Sequence, residues 1–238
     1  MTQDSSIKIH TFLASHGIAS RRKSEEMVSE GRVTVNDEPA TIGQRINPDT
    51  DVIKLDNSVI ENTSEKLRYF LVNKPVGYIS TTSDELGRKN VVDILPAMAE
   101  RVYPVGRLDM ESQGLMILTN DGDLAYRLTH PKFEVPKTYE ATLDRPISND
   151  AFDHLARGVR LKDGFAATKN LEFAFPDRQD VLIITITQGH NRQVRRMFER
   201  VGYEVTKLVR TDMGPFFLDQ LDGKPYIELT NEDIQKVE

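Results

Sequence analysis

Hydrophobic and polar positions along the first sixty residues follow a helical pattern and then an alternating one. Ile9, Phe12 and Leu13 recur at the spacing of a helix face, and Gly17 can end that helix in a left-handed conformation. Ser20 is a suitable N-cap for a second helix. The alternation that follows is typical of short strands joined by turns. We therefore predict helices around 9–16 and 21–30 and strands at 32–35 and 52–55.

From residue 68 onward, apolar runs of strand length are mixed with helical stretches. There is no regular alternation of strand and helix, and such a mixture favours an α+β fold over a doubly wound one. The polar segment 61–66 resembles a linker, so we predict a small N-terminal domain at 1–62 and a larger domain at 63–238. The predicted strands are 69–73, 102–105, 115–118, 137–143, 181–187 and 204–209, and the predicted helices are 123–128, 149–157 and 192–201.

Composition and charge narrow the class of protein. The 238 residues include no cysteine, which excludes disulfides, thiolate metal sites and a cysteine nucleophile. No apolar run approaches the roughly 18 residues of a membrane helix, and the polar start MTQDSSIK lacks the features of a signal peptide. We therefore expect a cytoplasmic protein without membrane contact. The net charge of −6 argues against avid, nonspecific polyanion binding, but the local distribution of charge matters more.

The N-terminal domain contains one cluster of basic residues. Its cationic side chains open the second predicted helix and the strand after it: Arg21, Arg22, Lys23 and Arg32. Phosphate contacts need a local cluster of this kind. However, Glu25, Glu26 and Glu30 lie on the same helix, which is also the pattern of an ordinary solvated face. Both interpretations stay open.

A second basic segment, GHNRQVRRMFERVGYEVTKLVR, runs from residue 189 to 210. Its cations are Arg192, Arg195, Arg196, Arg200, Lys207 and Arg210. Arg195 and Arg196 are adjacent and point about 100° apart on a helix, so one can face RNA while the other reaches into a cleft. The alternative is a basic surface helix with ordinary salt bridges. The density of arginine in an acidic protein favours contact with a polyanion.

A carboxylate lies between two predicted strands in the segment VYPVGRLDMESQGLMIL. Asp109 follows Arg107, and Gly106 and Gly114 stand on either side. A carboxylate can act as a base, a nucleophile or a metal ligand, and pairing with Glu111 would be consistent with glycosidase chemistry. A single aspartate in a loop is more often a turn or capping residue. The five histidines are scattered without ligand spacing, so no metal site is expected.

Five segments in order carry a resemblance to a known family: YFLVNKPVGYISTT, YPVGRLDMESQGLMILTNDGDL, THPKFEVPKTYEA, ITQGHNRQVRRMFERVG and VTKLVR. The chain resembles the RsuA/RluB/RluE/RluF group of bacterial ribosomal-RNA pseudouridine synthases, with features of the branch that acts on large-subunit RNA. Residues 7–57 look like the small RNA-binding domain first seen in a small-subunit ribosomal protein.

The resemblance implies a fold and roles for individual residues. The fold would be a helix-hairpin RNA-binding domain followed by a catalytic domain with a mixed, largely antiparallel sheet and flanking helices. Asp109 would be the catalytic carboxylate, Tyr139 the aromatic that lies against the target base, and Arg195 the cation that ion-pairs with the aspartate. Leu208 would be an apolar pocket residue, and Arg107 would help to position the RNA. The RNA would also be bound by Arg192, Arg196, Lys207, Arg21, Arg22, Lys23 and Arg32.

The expected reaction is the isomerisation of one uridine to pseudouridine, with the base flipped out of its stack. Nothing is consumed, so no metal or cofactor is expected. The expected partner is ribosomal RNA or a precursor subunit, bound by a monomer. The alternatives are a small-subunit rRNA synthase, a noncatalytic RNA-binding assembly factor, and a nucleoside hydrolase that uses Asp109 with Glu111.

Overall fold

A computed structural model describes residues 6–63 and 65–235 of the chain. Within them the chain forms two compact units. The N-terminal unit comprises the described residues up to Leu67 together with Ala99–Arg101, and the C-terminal unit comprises 68–98 and 102 onward. The first residues of the polar start and Ser64 of the expected linker lie outside the described residues. The domain ranges 1–62 and 63–238 stay a prediction.

The N-terminal unit packs two helices against short strands, as the spacing of its apolar residues predicts. Ile9, Phe12 and Val28 are buried in its core. The Ser20 side chain accepts a hydrogen bond from the Lys23 backbone N–H (3.2 Å), which confirms the predicted N-cap. The elements are β1 Ile7–Lys8, α1 Ile9–Ser15, α2 Arg21–Ser29, β2 Val33–Val35, β3 Glu38–Pro39, β4 Arg45–Ile46, β5 Ile53–Leu55 and β6 Ser58–Val59.

The C-terminal unit is built on one large sheet with helices on both faces. Its strands are β7 Tyr69–Lys74, β8 Tyr103–Pro104, β9 Gln113–Thr119, β10 Lys137–Leu143, β11 Val159–Leu161, β12 Gly164–Ala166, β13 Asn170–Phe175, β14 Arg178–Ile186, β15 Val205–Met213, β16 Phe216–Phe217 and β17 Tyr226–Glu228. Its α-helices are α3 Gly122–Thr129, α4 Asn149–Ala156, α5 Gln193–Arg200 and α6 Asn231–Gln235. Short 3₁₀ helices cover Val91–Ile94, Pro131–Phe133 and Leu218–Leu221.

The sheet is mixed and largely antiparallel. Its strand order is β13-β14-β10-β15-β9-β7-β17, with β8 added beside β9 and β16 beside β15. Strands β9 and β15 pair in parallel, whereas the other strand pairs of this sheet are antiparallel. β11 and β12 form a separate hairpin. The expectation of an α+β fold with this type of sheet is confirmed.

Alternate residues of the central strands enter two different cores. In β7, Phe70 and Val72 pack into the core that α4 and α5 cover, and Tyr69 and Leu71 pack into the core that α3 covers. Successive side chains of a strand point to opposite faces, so a run that is apolar at every position belongs in a sheet covered on both sides. This is why YFLV is continuous rather than alternating.

Two predicted elements differ from the structure at their ends. The helix predicted at 192–201 begins at Gln193, because Arg192 has a left-handed backbone (φ 48°) and stands outside the helix as its N-cap. The strand predicted at 204–209 continues to Met213. The polar residues Thr211 and Asp212 do not have the apolar pattern of a strand, so the prediction ended before them. In the structure Asp212 pairs with Phe217 of β16, which extends the strand.

The strand register brings distant parts of the chain together at the middle of the sheet. Gly114 at the start of β9 pairs with Arg210 of β15, and Arg210 pairs with Tyr139 of β10. The loop that precedes β9 therefore lies next to the centres of β15 and β10.

Across the described ranges, every helix is too short or too polar to cross a bilayer.

Candidate active site

The loop between β8 and β9 is held at several points by its backbone. The Leu108 N–H donates to Ser80 Oγ (3.0 Å), and the Ser80 hydroxyl donates back to the Leu108 carbonyl (2.7 Å). The Gly77 N–H donates to the Met110 carbonyl (2.8 Å). The buried Lys74 ammonium donates to the Ser112 carbonyl (2.7 Å). These contacts fix the backbone on both sides of residue 109.

The Asp109 carboxylate itself has no hydrogen bond and no ion pair within 4 Å among residues 6–63 and 65–235. Only its backbone carbonyl is used, as the acceptor for the Ser112 N–H (3.0 Å). An aspartate that caps a turn would accept a backbone hydrogen bond through its side chain. The interpretation of Asp109 as an ordinary turn residue therefore has no support in the structure.

Glu111, the other carboxylate of this loop, is in a different situation. Its Oε2 accepts a hydrogen bond from Arg192 Nη1 (2.7 Å) and lies 4.0 Å from Arg195 Nε. The hydrogen bond from Arg192 is the main cause that lowers the pKa of this exposed carboxyl. Glu111 is thus committed to an ion pair, and a two-carboxylate site with Asp109 is not formed.

Asp109 opens into a cleft of about 200 Å³ in the C-terminal unit. Tyr139 of β10 and Leu208 of β15 form part of its apolar wall and are buried. Both side chains come from the strands that the register places beside the loop. The lining residues are Gly106, Arg107, Leu108, Asp109, Ser112, Thr129, Lys137, Tyr139, Ile186, Gly189, His190, Asn191, Arg192, Gln193, Val194, Leu208, Arg210 and Met213.

Two buried cations, Lys137 and Arg210, line this cleft, and Lys74 is buried nearby under the Asp109 loop. Arg210 was expected only as one cation of the basic segment, and Lys74 and Lys137 were not predicted as site residues. Lys74, Lys137 and Arg210 are 0%, 8% and 2% exposed. Burial lowers the pKa of Lys74 to about 8, against the opposing field of Asp109, and Arg210 lowers it further. Burial, and then the charge of Arg210, lower the pKa of Lys137 to about 8. The sequence could have indicated these residues, because Lys74 lies in the KPVG motif, Lys137 in KTYE and Arg210 in KLVR.

The expected ion pair between Arg195 and Asp109 is not present in the structure. The buried Arg195 guanidinium instead donates to the carbonyls of Val205 (2.5 Å) and Glu111 (3.4 Å). A guanidinium has five donors, and these carbonyls occupy two of the Arg195 nitrogens. Arg195 therefore ties the Asp109 loop to α5 and to the start of β15, and it does not line the cleft.

The remaining predicted cations of the C-terminal unit divide into two groups. Arg107 and Arg192 line the cleft. Arg196 donates two hydrogen bonds to the Asp163 carboxylate (both 2.8 Å), and Lys207 is exposed, so neither belongs to the cleft wall. Their proposed contact with RNA stays a prediction.

The basic cluster of the N-terminal unit is partly neutralised. Lys23 pairs with Glu26 (2.7 Å), and Arg32 donates two hydrogen bonds to Asp56 (2.9 and 2.5 Å). Arg21 and Arg22 are exposed and form no ion pair within the described part of the chain. Only these two cations of the cluster are thus free to meet a phosphate without breaking an existing pair.

Among the described residues, no three His, Asp or Glu side chains gather as a group that could hold a metal ion.

Comparison with known families assigns both units. A family described as RNA pseudouridylate synthase matches residues 68–200, which is more than half of the chain. The chain belongs to the RNA pseudouridylate synthase family. An S4 domain matches residues 7–52 of the N-terminal unit. The predicted resemblance is confirmed, and the chain is an isomerase rather than a noncatalytic binding protein.

Individual relatives cover nearly the whole synthase. "Ribosomal large subunit pseudouridine synthase B" of Bacillus subtilis (strain 168) is 38% identical over 97% of this chain and 95% of its own. "Dual-specificity RNA pseudouridine synthase RluF" of Escherichia coli (strain K12) is 37% identical over 98% of this chain and 79% of its own. A crystal structure of a pseudouridylate synthase matches with a TM-score of 0.68 and 28% identity, over 98% of this chain and 100% of that one.

The buried Lys74 leads to a prediction about stability and pH. Its pKa is about 8 in the folded synthase against 10.5 for an ordinary lysine. Between these two pH values the unfolded chain binds a proton that the folded chain has released. The free energy of unfolding should therefore rise with pH across this window, by about 3 kcal/mol for this side chain. In Lys74→Met that contribution is absent.

Urea unfolding curves from pH 7.5 to 10 measure the effect. The difference in unfolding free energy between the wild type and Lys74→Met should change in favour of the wild type as the pH rises. Lys137 titrates in both proteins and cancels from the difference. A difference that is constant with pH would show that Lys74 is not held largely neutral at the top of this range.

Proposed function

We propose that the synthase converts one uridine of large-subunit ribosomal RNA into pseudouridine, with Asp109 as the catalytic carboxylate. The supporting observation is the Asp109 carboxylate, which lines the cleft without a partner in the described ranges. The choice of ribosomal RNA rests on the Bacillus subtilis relative, which is named for the large subunit.

The target base must leave its helical stack, because the reacting atoms are not accessible inside a duplex. Unstacking costs a few kcal/mol. Tyr139 lines the cleft and is only 8% exposed, so its ring is already ordered and desolvated before a base arrives. Stacking of the uracil on this ring recovers roughly 1–3 kcal/mol. Leu208 supplies an apolar contact on the neighbouring strand.

Asp109 acts on the sugar of the flipped nucleotide. Its carboxylate either attacks C1′ or removes the proton at C2′, and both steps require the ionised form with a free oxygen. The structure meets the second requirement, since both oxygens are unoccupied by the described residues. The isomerisation consumes nothing, so the proposed mechanism uses only side chains of this chain.

Arg195 and Glu111 position the catalytic loop in this mechanism. Arg195 donates to the Glu111 carbonyl, and the Glu111 carboxylate accepts from Arg192 at the start of α5. These two contacts connect Glu111 of the Asp109 loop to the arginines at the start of α5. We therefore assign Arg195 as a positioning residue that holds the loop.

Exposed and cleft-lining arginines supply the phosphate contacts. Arg107 and Arg192 line the cleft of the C-terminal unit, and Arg21 and Arg22 are exposed on the S4 domain. Each contact contributes affinity without sequence information. The proposed partner is ribosomal RNA or a precursor subunit, which places the reaction in the cytoplasm. We expect the synthase to act as a monomer.

The test is tritium release from ribosomal RNA labelled at C5 of uridine. We expect the synthase to release tritium from transcribed large-subunit RNA and not from small-subunit RNA. Carbodiimide-dependent stops of reverse transcription then locate the modified nucleotide. Release from small-subunit RNA alone would refute the choice of subunit, and the absence of release from either RNA and from both intact subunits would refute the proposed substrate.

A second candidate is activity on a second RNA in addition to ribosomal RNA. It is favoured by the Escherichia coli relative, which is named as a dual-specificity RNA enzyme. The same tritium assay with total small RNA distinguishes the two candidates, because only a dual-specificity enzyme releases tritium from that fraction.

A further inference from the structure

The lining of the cleft is strongly positive. Arg107, Lys137, Arg192 and Arg210 contribute four cations, whereas Asp109 contributes the single carboxylate among the lining residues. Arg192 is paired with Glu111, and Arg107 is exposed to solvent. Lys137 and Arg210 are different, because both are more than nine-tenths buried.

The Arg210 guanidinium is only partly used by the fold. Its Nε donates to the Leu115 carbonyl (2.8 Å), which anchors the side chain beneath the parallel pair β9–β15. Its Nη2 is buried and has no hydrogen-bond partner, and no carboxylate of the described residues lies within 4 Å of the guanidinium. An unpartnered donor on a buried cation destabilises the fold. Such a donor is retained where a bound ligand accepts its hydrogen bond.

Lys137 repeats this situation on the neighbouring strand. Its ammonium donates to the Val135 carbonyl (2.9 Å), and no described carboxylate lies within 4 Å of it. The charges of Lys137 and Arg210 repel each other, as the effect of Arg210 on the pKa of Lys137 shows. With a pKa of about 8, most of the Lys137 ammonium is still charged at pH 7.

Two like charges buried side by side without a counter-ion indicate that the ligand carries or develops negative charge at this position. Asp109 lines the same cleft. In the proposed reaction its carboxylate acts on the sugar, so it does not serve as the permanent counter-ion of Lys137 and Arg210. A neutral uracil has two carbonyl oxygens, and it becomes negatively charged when it separates from its sugar. The cleft therefore fits a base that gains charge during the reaction.

We propose that Lys137 and Arg210 form an electropositive floor that binds the carbonyl oxygens of the uracil and stabilises it as the leaving group. This inference rests on the proposed function. When the N1–C1′ bond breaks, its electron pair stays with the uracil, and the charge spreads from N1 to O2 and O4. The two cations stabilise this anion while the ring rotates.

The second half of the reaction returns the charge. A new C5–C1′ bond forms with an electron pair of the uracil ring, C5 loses its proton, and N1 gains a proton. Atoms and charge balance without an oxidant, a reductant or another co-reactant. Because the floor acts on the anion and not on the sugar, its contribution depends on how readily the base leaves.

The test compares Lys137→Met with the wild type on two RNA substrates, one with uridine and one with 5-fluorouridine at the target position. Because C5 of 5-fluorouridine carries no hydrogen, tritium release cannot follow that substrate. Nuclease digestion and chromatography instead follow the loss of the N1-linked target nucleoside from both RNAs in a single turnover. Fluorine withdraws electrons and stabilises the departing anion, so the substrate itself replaces part of the floor. With uridine we expect the single-turnover rate constant of Lys137→Met to fall about 100-fold. With 5-fluorouridine the loss should shrink to about tenfold or less. Arg210→Lys, which keeps the charge, should retain more activity than Arg210→Met.

Controls separate this effect from misfolding and from failure of the proposed function. The melting temperature of Lys137→Met should not fall below that of the wild type, because a buried charge is removed, and its RNA affinity should stay close to the wild type. Lys224→Met, at an exposed lysine, should leave both rates unchanged. Equal losses on both substrates would overturn the proposal, because an effect exerted through Asp109 or through packing does not depend on the leaving group. An undiminished rate would overturn it too. A wild type inactive on both RNAs would instead contradict the proposed function.

Discussion

Asp109→Asn should lower the rate of pseudouridine formation by more than about 10⁴-fold, because removal of a covalent or basic catalyst commonly has an effect of this size. The amide has the shape of the carboxylate but can neither attack C1′ nor accept the C2′ proton. The Asp109 side chain has no partner among the described residues, so the substitution breaks no contact of the fold. The melting temperature and the affinity for RNA should therefore stay unchanged.

Single-turnover tritium release with excess enzyme measures this loss. Glu111→Gln is the matched comparison, since it changes a carboxylate of the same loop that is committed to Arg192. We expect it to lower activity by about tenfold or less, through weaker positioning of the loop. If Asp109→Asn kept a tenth of the wild-type rate, or if Glu111→Gln were the more damaged variant, the assignment of the catalytic carboxylate would be wrong.

The fold class could be predicted from the sequence because the strongest signals are local. The run Tyr69–Lys74 is continuously apolar at its start and forms a strand that is buried on both faces. The order of the strands could not be predicted in the same way. The parallel pairing of Gly114 with Arg210 joins positions almost a hundred residues apart, and it results from packing of the whole sheet.

The candidate site was predicted in part. Asp109, Tyr139 and Leu208 were found through motifs, and they line one cleft. Lys137 was missed, and Arg210 was named only as one cation of the basic segment 189–210, because the burial of a cation is not visible in sequence. A period of two places Lys137 on the face of Tyr139, and Arg210 on the face of Leu208. Applied to these motifs, that rule could have located both cations.

The role of Arg195 shows the opposite limit. The motif indicated a cation that acts near Asp109, and the structure places Arg195 on α5, close to the catalytic loop. The acceptors of its guanidinium are backbone carbonyls. Every residue has a backbone carbonyl, so no sequence pattern indicates which ones will bind an arginine. The Val205 and Glu111 carbonyls accept hydrogen bonds from Arg195, and this contact is the basis of the proposal that Arg195 positions the Asp109 loop.

Gly114→Ala should destabilise the synthase by about 4 kcal/mol, the sum of overpacking and backbone strain. A Cβ at this position would lie 2.3 Å from the Arg210 carbonyl oxygen and 2.7 Å from the Arg210 nitrogen, and neither backbone atom can move without separating β9 from β15. The backbone of Gly114 also has φ +111°, a conformation that side-chain-bearing residues rarely adopt.

Gly223→Ala separates the two causes. Gly223 has φ +74°, but apart from its chain neighbours no heavy atom of residues 6–63 and 65–235 lies within 4 Å of the position of its Cβ. Only the strain of the backbone is therefore added, at a cost of about 1 kcal/mol. Urea unfolding of both variants measures the difference. Equal losses would show that the close approach of β15 to Gly114 is not a constraint. A much larger loss in Gly114→Ala, with a matching loss of activity in the folded fraction, would show that this parallel junction keeps the Asp109 loop and Arg210 in place beside the cleft.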